Sequence, residues 1–533
     1  MKRIIKAILI VVFSTTTVFS YPGQVLDKFE LSYSCPTGLA FDGTNIWLAD
    51  RKSDEIICLS ADDGSLISKI ESPAYWPMGL TWDGKYLWNS DKKTNKIYQI
   101  DPDKGTILKS LPYPGKSPKD LAWDGEYLWI ADNLQNKIYQ ISTTDGTTIK
   151  TLTAPASDIR GLAYDGKYLW CSDRIEDEIY MLEPESGTVI IITQAPGPFT
   201  RGLAFDKNNI WAVDYQNDHI YKLVYKDQEN FRLSDQRDAQ VRYTHQIKNF
   251  GPGNIQTLDI HVAIPKNRAN QKIKDIQYNT KPASVETDNW SQETAHFKYS
   301  NIEPGSTINC VMTTRAQIFA VRHYLFPEDA GNLAEIPDKI KNGYLENNEK
   351  YQINHPYMQE ILKQVVNQEQ NTFWIARKIF NYLIENMYYE RVGGWNTAPT
   401  VLKRGNGSCS EYTFAFIALC RAAGLPARYV GSAVVRGDDS SLDEIFHRWA
   451  EVYMPGYGWI PVDPSGGDKE SPRDQADSFG GLSNRFLITT ESGGGSRTMQ
   501  WTYNSNAFYT TDPKTRVYSE HIAEWEPVKQ RNR

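Results

Sequence analysis

The 533-residue sequence is 40% apolar and 12% aromatic, which is enough for several hydrophobic cores and excludes a disordered chain. Its length favours about three or four domains. The 58 basic and 65 acidic residues give a net charge of −7. Because no basic run offsets this charge, we expect no nucleic-acid partner.

The first 20 residues have the pattern of an export signal. Basic residues at positions 2, 3 and 6 precede an apolar run at 7–13, and small residues follow, with Val18 and Ser20 suited to a cleavage site. The run is shorter than the roughly 18 apolar residues of a membrane span, and no later segment approaches that length. We expect a signal peptide at residues 1–20, no membrane span in the mature chain, and a periplasmic or secreted location. An uncleaved anchor is the alternative.

Residues 24–230 contain five copies of a unit that recurs every 41 residues. Each copy predicts four short strands, which is typical of a propeller blade. Residues 25–31 match an isolated fourth strand that would pair with the last blade and close the ring, so we expect five blades rather than six. One tryptophan and one aspartate recur in every copy: Trp47, Trp88, Trp129, Trp170 and Trp211, with Asp50, Asp91, Asp132, Asp173 and Asp214.

The repeated residues have a structural interpretation. A radial array needs the same filler between neighbouring sheets, so we expect the tryptophans to pack and the aspartates to cap turns. The units resemble NHL-type propeller repeats, which implies a module that binds a protein or a cell-surface polymer. The sequence identifies no ligand for it.

Residues 236–330 predict a small β-sandwich. Apolar residues alternate with polar ones in several segments separated by Gly, Pro and Asn turns. His245, His261 and His296 lie on these segments without metal-ligand spacing, so we expect them to be structural. The six cysteines contain no CxxC pairing, although a Cys35–Cys58 disulfide remains open. We expect no metal and no cofactor.

Helical periodicity then takes over. Phe373, Ala376, Phe380 and Leu383 predict one helix, and a second helix begins at Cys409 and ends before Gly-Leu-Pro at 424–426. Cys409 therefore lies in a first turn, where free backbone N–H groups stabilise a thiolate. Cys420 has apolar neighbours and is interpreted as a buried filler.

A nucleophilic thiol needs a base and a group that orients the base. His447 begins one predicted strand and Asp463 ends the next, and the turn at 455–458 makes the two strands a hairpin. The open end of this hairpin would bring His447 and Asp463 together, in the chain order Cys, His, Asp.

Three motifs then resemble the transglutaminase-like core, a papain-like fold: GSCSEYTFAFIALCRAAGLPARYV from residue 407, HRWAEVY from 447 and GWIPVDP from 458. The likeness covers residues 338–510, which leaves 511–533 as a C-terminal tail. It implies an α+β domain with Cys409 as nucleophile, His447 as general base and acid, and Asp463 as orienter. The oxyanion donors would be the Cys409 backbone N–H and Tyr389.

Two departures accompany this resemblance. Arg448 stands where relatives often have a small residue, and we expect it to narrow the site or to bind an acidic group of the substrate. The acidic stretch at 437–444 lacks the alternation of a calcium-binding loop, so we interpret it as a solvated loop.

The implied chemistry is acyl transfer on the amides of a protein or peptide. Water as acceptor gives a protease or amidase, and an amine gives a crosslink; the motifs do not separate them, and we favour hydrolysis. Two other interpretations stay open: a non-catalytic protein that binds through its propeller, or a propeller that is itself the enzyme. The oligomeric state is not indicated.

Overall fold

The computed structural model describes residues 20–391, 395–438 and 440–528. Apart from Ser20, the signal peptide expected at residues 1–20 lies outside the described residues. No helix of the described ranges is both long and apolar enough to cross a membrane.

The first half of the chain is a five-bladed propeller of four-stranded antiparallel sheets, as predicted. In four blades the strands follow one another along the chain. These strands are β2 Pro36–Phe41, β3 Asn45–Asp50, β4 Glu55–Ser60, β5 Leu66–Glu71; β6 Pro77–Trp82, β7 Leu87–Asp91, β8 Lys96–Ile100, β9 Ile107–Pro112; β10 Pro118–Trp123, β11 Leu128–Asp132, β12 Lys137–Ile141, β13 Thr148–Thr153; and β14 Ile159–Tyr164, β15 Leu169–Asp173, β16 Glu178–Leu182, β17 Val189–Gln194.

The fifth blade closes the ring. Its strands are β18 Thr200–Phe205, β19 Asn209–Asp214 and β20 His219–Val224, and its outermost strand is β1 Val25–Glu30 from the start of the chain. β1 pairs antiparallel with β20, which confirms the predicted closure. The innermost strands of successive blades contact one another in a complete cycle, from β2 round to β18 and back.

The repeated tryptophans and aspartates are structural. Each tryptophan is at most 6% exposed, and its indole N–H donates to the aspartate five residues earlier at 2.8 Å. The aspartates that end the second strands accept backbone N–H groups from the loop that leads into their own blade. Both groups therefore fix the blade, as the sequence indicated.

The axis of the ring leaves no room for side chains at four of five equivalent positions. A Cβ on Gly38 would lie 2.4 Å from the Met78 carbonyl oxygen, and one on Gly79 would lie 2.4 Å from the Asp120 Cα. Blade three has Asp120 at this position. Its carboxylate fills the axis and accepts three N–H groups from other blades, those of Leu80, Leu162 and Leu203, each at 3.0 Å.

The β-sandwich consists of two sheets around one core. Its strands before the helical region are β21 Phe231–Asn249, β22 Ile255–Ala263, β23 Gln271–Tyr278, β24 Ser284–Thr287, β25 Glu293–Ile302 and β26 Thr307–His323. The alternating residues Val241, Tyr243 and Ile247 are buried, as the pattern predicted.

The expected C-terminal tail at 511–533 is wrong. Val517–Glu526 forms a strand, β36, that pairs with β21 over its whole length, and Ser505–Thr511 forms β35, which pairs with β22. Ala523 and Trp525 bury their side chains in the sandwich core. The sandwich is thus completed by strands from both sides of the helical region, and the boundaries 236–330 and 338–510 stay proposals.

The helical region carries the candidate site. Two short 3-10 helices, Pro327–Asp329 and Leu333–Glu335, lead into it. Its elements are α1 Asp338–Tyr344, α2 Pro356–Val365, α3 Thr372–Asn386, β27 Tyr388–Tyr389, α4 Ala398–Arg404, β28 Asn406–Gly407, α5 Cys409–Ala422, β29 Ala427–Val434, β30 Ser441–Asp443, β31 His447–Met454, β32 Gly458–Val462, α6 Pro472–Asp477, β33 Gly481–Leu482 and β34 Phe486–Ser492.

Helix α5 is the centre of this region. Strands β29, β31, β32 and β34 form one sheet, and α5 is covered by that sheet and by α2, α3 and α4. The sequence predicted a single buried face. Phe414, Ile417 and Ala418 on the other face are also fully buried, because the surrounding helices leave α5 no solvent side.

The propeller packs against this region through blade four. The Arg473 guanidinium makes two 2.9 Å contacts with the Glu178 carboxylate, and Lys167 contacts Glu328 at 3.2 Å. Arg473 lies on α6, and Ser478 just after α6 accepts the Asp463 N–H at 2.9 Å. The propeller therefore supports the loop that follows Asp463.

The axial carboxylate generates the first prediction. Asp120→Ala leaves the N–H groups of Leu80, Leu162 and Leu203 without their acceptor, so we expect it to lower the free energy of unfolding by about 2–4 kcal/mol. The exposed Asp103→Ala is the matched control and should change it by less than about 0.5 kcal/mol. Denaturant unfolding of the three proteins provides the measurement, and equal losses in both variants would contradict the axial role.

Candidate active site

Cys409 is the first residue of α5 and is 7% exposed. Ser408 caps the helix, and the Glu411 carboxylate accepts the Ser408 N–H at 3.2 Å. The first turn of a helix has unpaired N–H groups and a positive dipole end, which favour an anionic sulfur.

Glu411 fixes this helix start, a role that the sequence interpretation missed. It is fully buried, and its carboxylate accepts hydrogen bonds from Arg404 at 3.0 Å and from Asn396 at 3.1 Å. The Ser-x-x-Glu spacing of a capping box was the available signal.

The hairpin of β31 and β32 places the other two predicted residues. His447 begins β31, Asp463 follows β32, and the His447 Nε2 lies 2.6 Å from the Asp463 Oδ2. Since Nε2 faces the carboxylate, Nδ1 is the nitrogen available to the Cys409 sulfur. The imidazole is packed between aromatic neighbours, with Phe486 stacked at 5.6 Å.

The Asp463 carboxylate is held from its other side. Its Oδ1 accepts the Ser465 hydroxyl at 2.8 Å and the Gly466 N–H at 2.9 Å. A Cβ on Gly466 would lie 2.7 Å from Oδ2, so this tight turn requires a residue without a side chain.

The three groups shift one another's pKa. Burial opposes ionisation of the Cys409 thiol, but the hydrogen bond and charge of His447 and the Arg448 backbone N–H lower its pKa below the ordinary value. Burial disfavours the His447 imidazolium, yet the charge and hydrogen bond of Asp463 raise its pKa well above 6.5. Burial also opposes the Asp463 carboxylate, and His447 outweighs it and lowers that pKa. The site favours a thiolate, an imidazolium and a carboxylate.

Thr413 ties the helix to the strand. Its hydroxyl lies 2.8 Å from the Cys409 carbonyl oxygen and 3.2 Å from the Arg448 carbonyl oxygen. The hydroxyl therefore holds the first turn of α5 beside the start of β31.

Arg448 does not face a substrate, contrary to the expectation from the sequence. It is fully buried, and its guanidinium lies 4.3 Å from the Tyr503 ring centre and 4.5 Å from that of Tyr429. One nitrogen donates to the Trp501 carbonyl oxygen at 2.7 Å. Neighbouring side chains on a strand point to opposite faces, so Arg448 packs away from the face of His447.

Tyr389 lies on β27, directly opposite Gly407 in the parallel pairing with β28. It is 44% exposed, and its oxyanion role stays a proposal. Its backbone N–H donates at 3.0 Å to Asp468, which also accepts the Tyr412 hydroxyl at 3.0 Å. Asp468 therefore links β27 to α5, a support that no motif in the sequence marked.

A cavity of about 310 Å³ lies beside the triad. Asp463 and Phe486 line it from the helical region, and Val321 and Arg322 line it from the sandwich. Of the three predicted catalytic residues, Asp463 lines this cavity.

The remaining cysteines carry no chemistry of this kind. Cys35 and Cys58 are unbridged, as are the other four. Burial raises the pKa of Cys58 to about 11 and that of Cys420 well above its ordinary value. Cys420 is a buried filler, as expected.

The sandwich histidines form one group that their spacing did not indicate. The potential ligand atoms of His261, Glu286 and His296 lie within 4.8 Å of one another. However, both nitrogens of His296 contact carboxylates, Asp259 at 2.7 Å and Glu286 at 2.8 Å. His296 therefore lies between two carboxylates, one of which, Glu286, belongs to the same group.

Asp443, near the end of the acidic stretch at 437–444, is buried, whereas the sequence predicted a solvated loop. It accepts the Val434 N–H at 2.8 Å and the Phe446 N–H at 3.0 Å. Its carboxylate is committed to the turn before β31; residue 439 lies outside the described ranges.

Comparison with known families agrees with this geometry. Residues 359–464 match the model of the transglutaminase-like superfamily, which confirms the predicted resemblance over this part of the chain. Two uncharacterized relatives are each 28% identical: YebA of Bacillus subtilis over 104 residues, and a Haemophilus influenzae protein over 129 residues. The matches cover 18% and 20% of this chain and only 14% and 35% of those proteins.

Several solved structures are similar to parts of the chain. A candidate cysteine protease from Cytophaga hutchinsonii has 16% identity and a TM-score of 0.37, covering 54% of this chain and 91% of its own. Glutaminyl cyclase from Myxococcus xanthus has 12% identity and a TM-score of 0.34, covering 38% and 94%. Virginiamycin B lyase from Staphylococcus aureus has 18% identity and a TM-score of 0.27, covering 37% and 98%.

The shifted pKa values generate the second prediction. Because the pKa of Cys409 is lowered, its alkylation by iodoacetamide should rise less than tenfold with each pH unit from 6 to 8, with Cys420 unmodified. His447→Gln removes the hydrogen bond and charge that favour the thiolate, so the rate at pH 6 should fall at least about tenfold. Mass spectrometry of Cys409-containing peptides measures both rates.

His219→Gln, in the propeller, is the matched control and should leave the Cys409 rate unchanged. A wild-type rate that rises about tenfold with each pH unit from 6 to 8 would indicate a thiol of ordinary pKa and contradict the assignment.

Proposed function

We propose that the protein is an exported cysteine enzyme that hydrolyses amide bonds of proteins or peptides, with Cys409, His447 and Asp463 as its catalytic residues. The observation that carries the proposal is the 2.6 Å contact between His447 and Asp463 beside a thiol whose pKa is lowered at a helix start. Nucleophile, base and orienter in this arrangement perform acyl transfer in cysteine hydrolases.

The first half-reaction forms a thioester. The Cys409 thiolate attacks the carbonyl carbon of the amide, and the carbonyl electron pair moves to the oxygen. When the tetrahedral intermediate collapses, the C–N bond breaks and the amine leaves with the proton from His447 Nδ1. Asp463 keeps the imidazole oriented throughout.

The second half-reaction regenerates the enzyme. Water gives a proton to the now neutral His447, and its oxygen attacks the thioester carbonyl carbon. The C–S bond then breaks and releases the carboxylic acid, so one amide and one water become one acid and one amine. An amine in place of water would give a crosslink by the same steps.

The developing oxyanion needs donors near Cys409. The Cys409 backbone N–H belongs to the first turn of α5 and has no partner within the helix. Tyr389 supplies the second donor in this proposal, since β27 runs beside Gly407, two residues before the nucleophile.

The propeller supplies binding rather than chemistry in this proposal. Its repeated tryptophans and aspartates are occupied with the fold, and blade four packs beside the helical region. A protein substrate or a surface polymer held by the ring would be kept near the cleft at Asp463.

The third prediction concerns turnover. Cys409→Ala should lower hydrolysis of casein by at least about 10³-fold and leave the melting temperature close to that of the wild type. The matched control, Cys35→Ala, removes a partly exposed thiol from the propeller and should retain activity. Retained hydrolysis by purified Cys409→Ala would contradict the proposal.

Casein incubated with a labelled amine identifies the acceptor. Mass spectrometry should show cut peptides without the label. Glutamine residues carrying the label would assign crosslinking instead, and absence of both products together with an unreactive Cys409 would favour a non-catalytic binding protein.

A further inference from the structure

Several lysine and arginine side chains lie at one end of the propeller axis, although the protein as a whole is acidic. The second residues of β10, β14 and β18 are Lys119, Arg160 and Arg201, each directly before the axial position. Antiparallel pairing brings the ends of the second strands to the same side, and three of these ends are followed by a cation. The six residues, which we name the basic mouth, are Arg51, Lys92, Lys119, Arg160, Arg174 and Arg201.

The carboxylates at this end are already engaged. Asp158 contacts Arg160 at 2.8 Å and Arg174 at 2.6 Å, which neutralises part of that charge. The five aspartates that end the second strands accept backbone N–H groups in their own blades. Asp120 lies below the mouth, where its carboxylate accepts backbone N–H groups from three other blades.

Lys119 and Arg201 differ from Arg160 and Arg174, which form ion pairs with Asp158. Lys119 is 3% exposed, and the charged groups around it are Arg160, Lys92 and Arg201, with Asp158 as the one carboxylate that acts on its charge. Arg201 stacks on Tyr215 at 3.7 Å and on Phe199 at 4.9 Å, and its buried Nε has no partner among the described residues. The planes of the two rings are inclined by 51° to each other, and both rings limit the movement of the guanidinium.

A buried cation without a counter-charge is unfavourable. Burial, with the charges of Arg160 and Lys92, lowers the pKa of Lys119 to about 7. Burial likewise lowers that of Arg201 to about 10. Both shifts agree with the contacts, because like charges surround the two groups and Asp158 compensates that of Lys119 only in part.

The floor of the mouth is closed. The axial glycines and Asp120 leave no channel through the ring, since a Cβ on Gly38 or Gly79 would already overlap the neighbouring blade. A ligand therefore enters from the mouth and stops above Asp120. Only a small group, or the end of a larger molecule, fits at such a position.

We propose that the basic mouth of the propeller binds a multivalent oxyanion, with Lys119 and Arg201 as its direct partners. A planar guanidinium packed against Tyr215 suits two oxygens of one anionic group, and the Lys119 ammonium supplies a point charge beside it. Phosphate, sulfate and polycarboxylate groups share this chemistry. This site is independent of Cys409 and of the acyl-transfer proposal.

Thermal unfolding and calorimetric titration of the purified protein test the site, with pyrophosphate and citrate as probes against sodium chloride of equal ionic strength. We expect pyrophosphate to bind once per chain and to raise the melting temperature. Lys119→Met should lose this shift and weaken binding at least about tenfold. Its melting temperature without the anion should equal or exceed that of the wild type, because a buried charge that is compensated only in part is gone.

Arg201→Gln provides a second variant and should weaken binding even if Lys119→Met does not fold. Lys104→Gln, an exposed cation elsewhere on the propeller, is the matched control and should bind as the wild type does. Binding of citrate as well as pyrophosphate extends the site to carboxylates, and binding of pyrophosphate alone assigns phosphoryl groups. A wild type that binds neither probe, or a Lys119→Met protein that binds equally well, would overturn the proposal.

Discussion

The candidate active site depends on one contact, that between the His447 imidazole and the Asp463 carboxylate at 2.6 Å. The carboxylate makes the buried imidazolium stable, and the imidazolium in turn makes the Cys409 thiolate stable. Without it, burial would keep the sulfur protonated and the histidine neutral. The fold has to bring two strand ends and one helix start to the same point for this to happen.

Much of the surrounding structure serves that convergence. Glu411 fixes the first turn of α5 by accepting the Ser408 N–H. Thr413 holds the same turn beside β31. Gly466 permits the turn that holds Asp463. The loop beyond it continues to α6, where Arg473 contacts Glu178 of the propeller. The propeller is thus part of the support of the site as well as a candidate binding module.

The sequence predicted those features that local patterns encode. A strict 41-residue period gave the five blades and the closing strand β1. Helix and hairpin signals identified Cys409, His447 and Asp463 as candidate catalytic residues. Features that depend on distant pairing were not accessible. β35 and β36 pair with strands of the sandwich that lie far earlier in the chain, and no local pattern specifies such partners. Arg448 was expected at the substrate, since sequence cannot show which face of β31 is enclosed by aromatic rings.

The exception at Asp120 is already visible in the repeat. Four copies of the repeat have glycine there and one has aspartate. Only the ring geometry explains the exception, because one carboxylate suffices to bind the N–H groups that meet on the axis.

The most direct test of the central claim is a ¹⁵N NMR titration of His447 in the wild type and in Cys409→Ser. We expect the wild-type imidazolium to persist through neutral pH and its pKa to fall when the thiolate partner is replaced. Titration near pH 6.5 in both proteins, with no difference between them, would contradict this expectation.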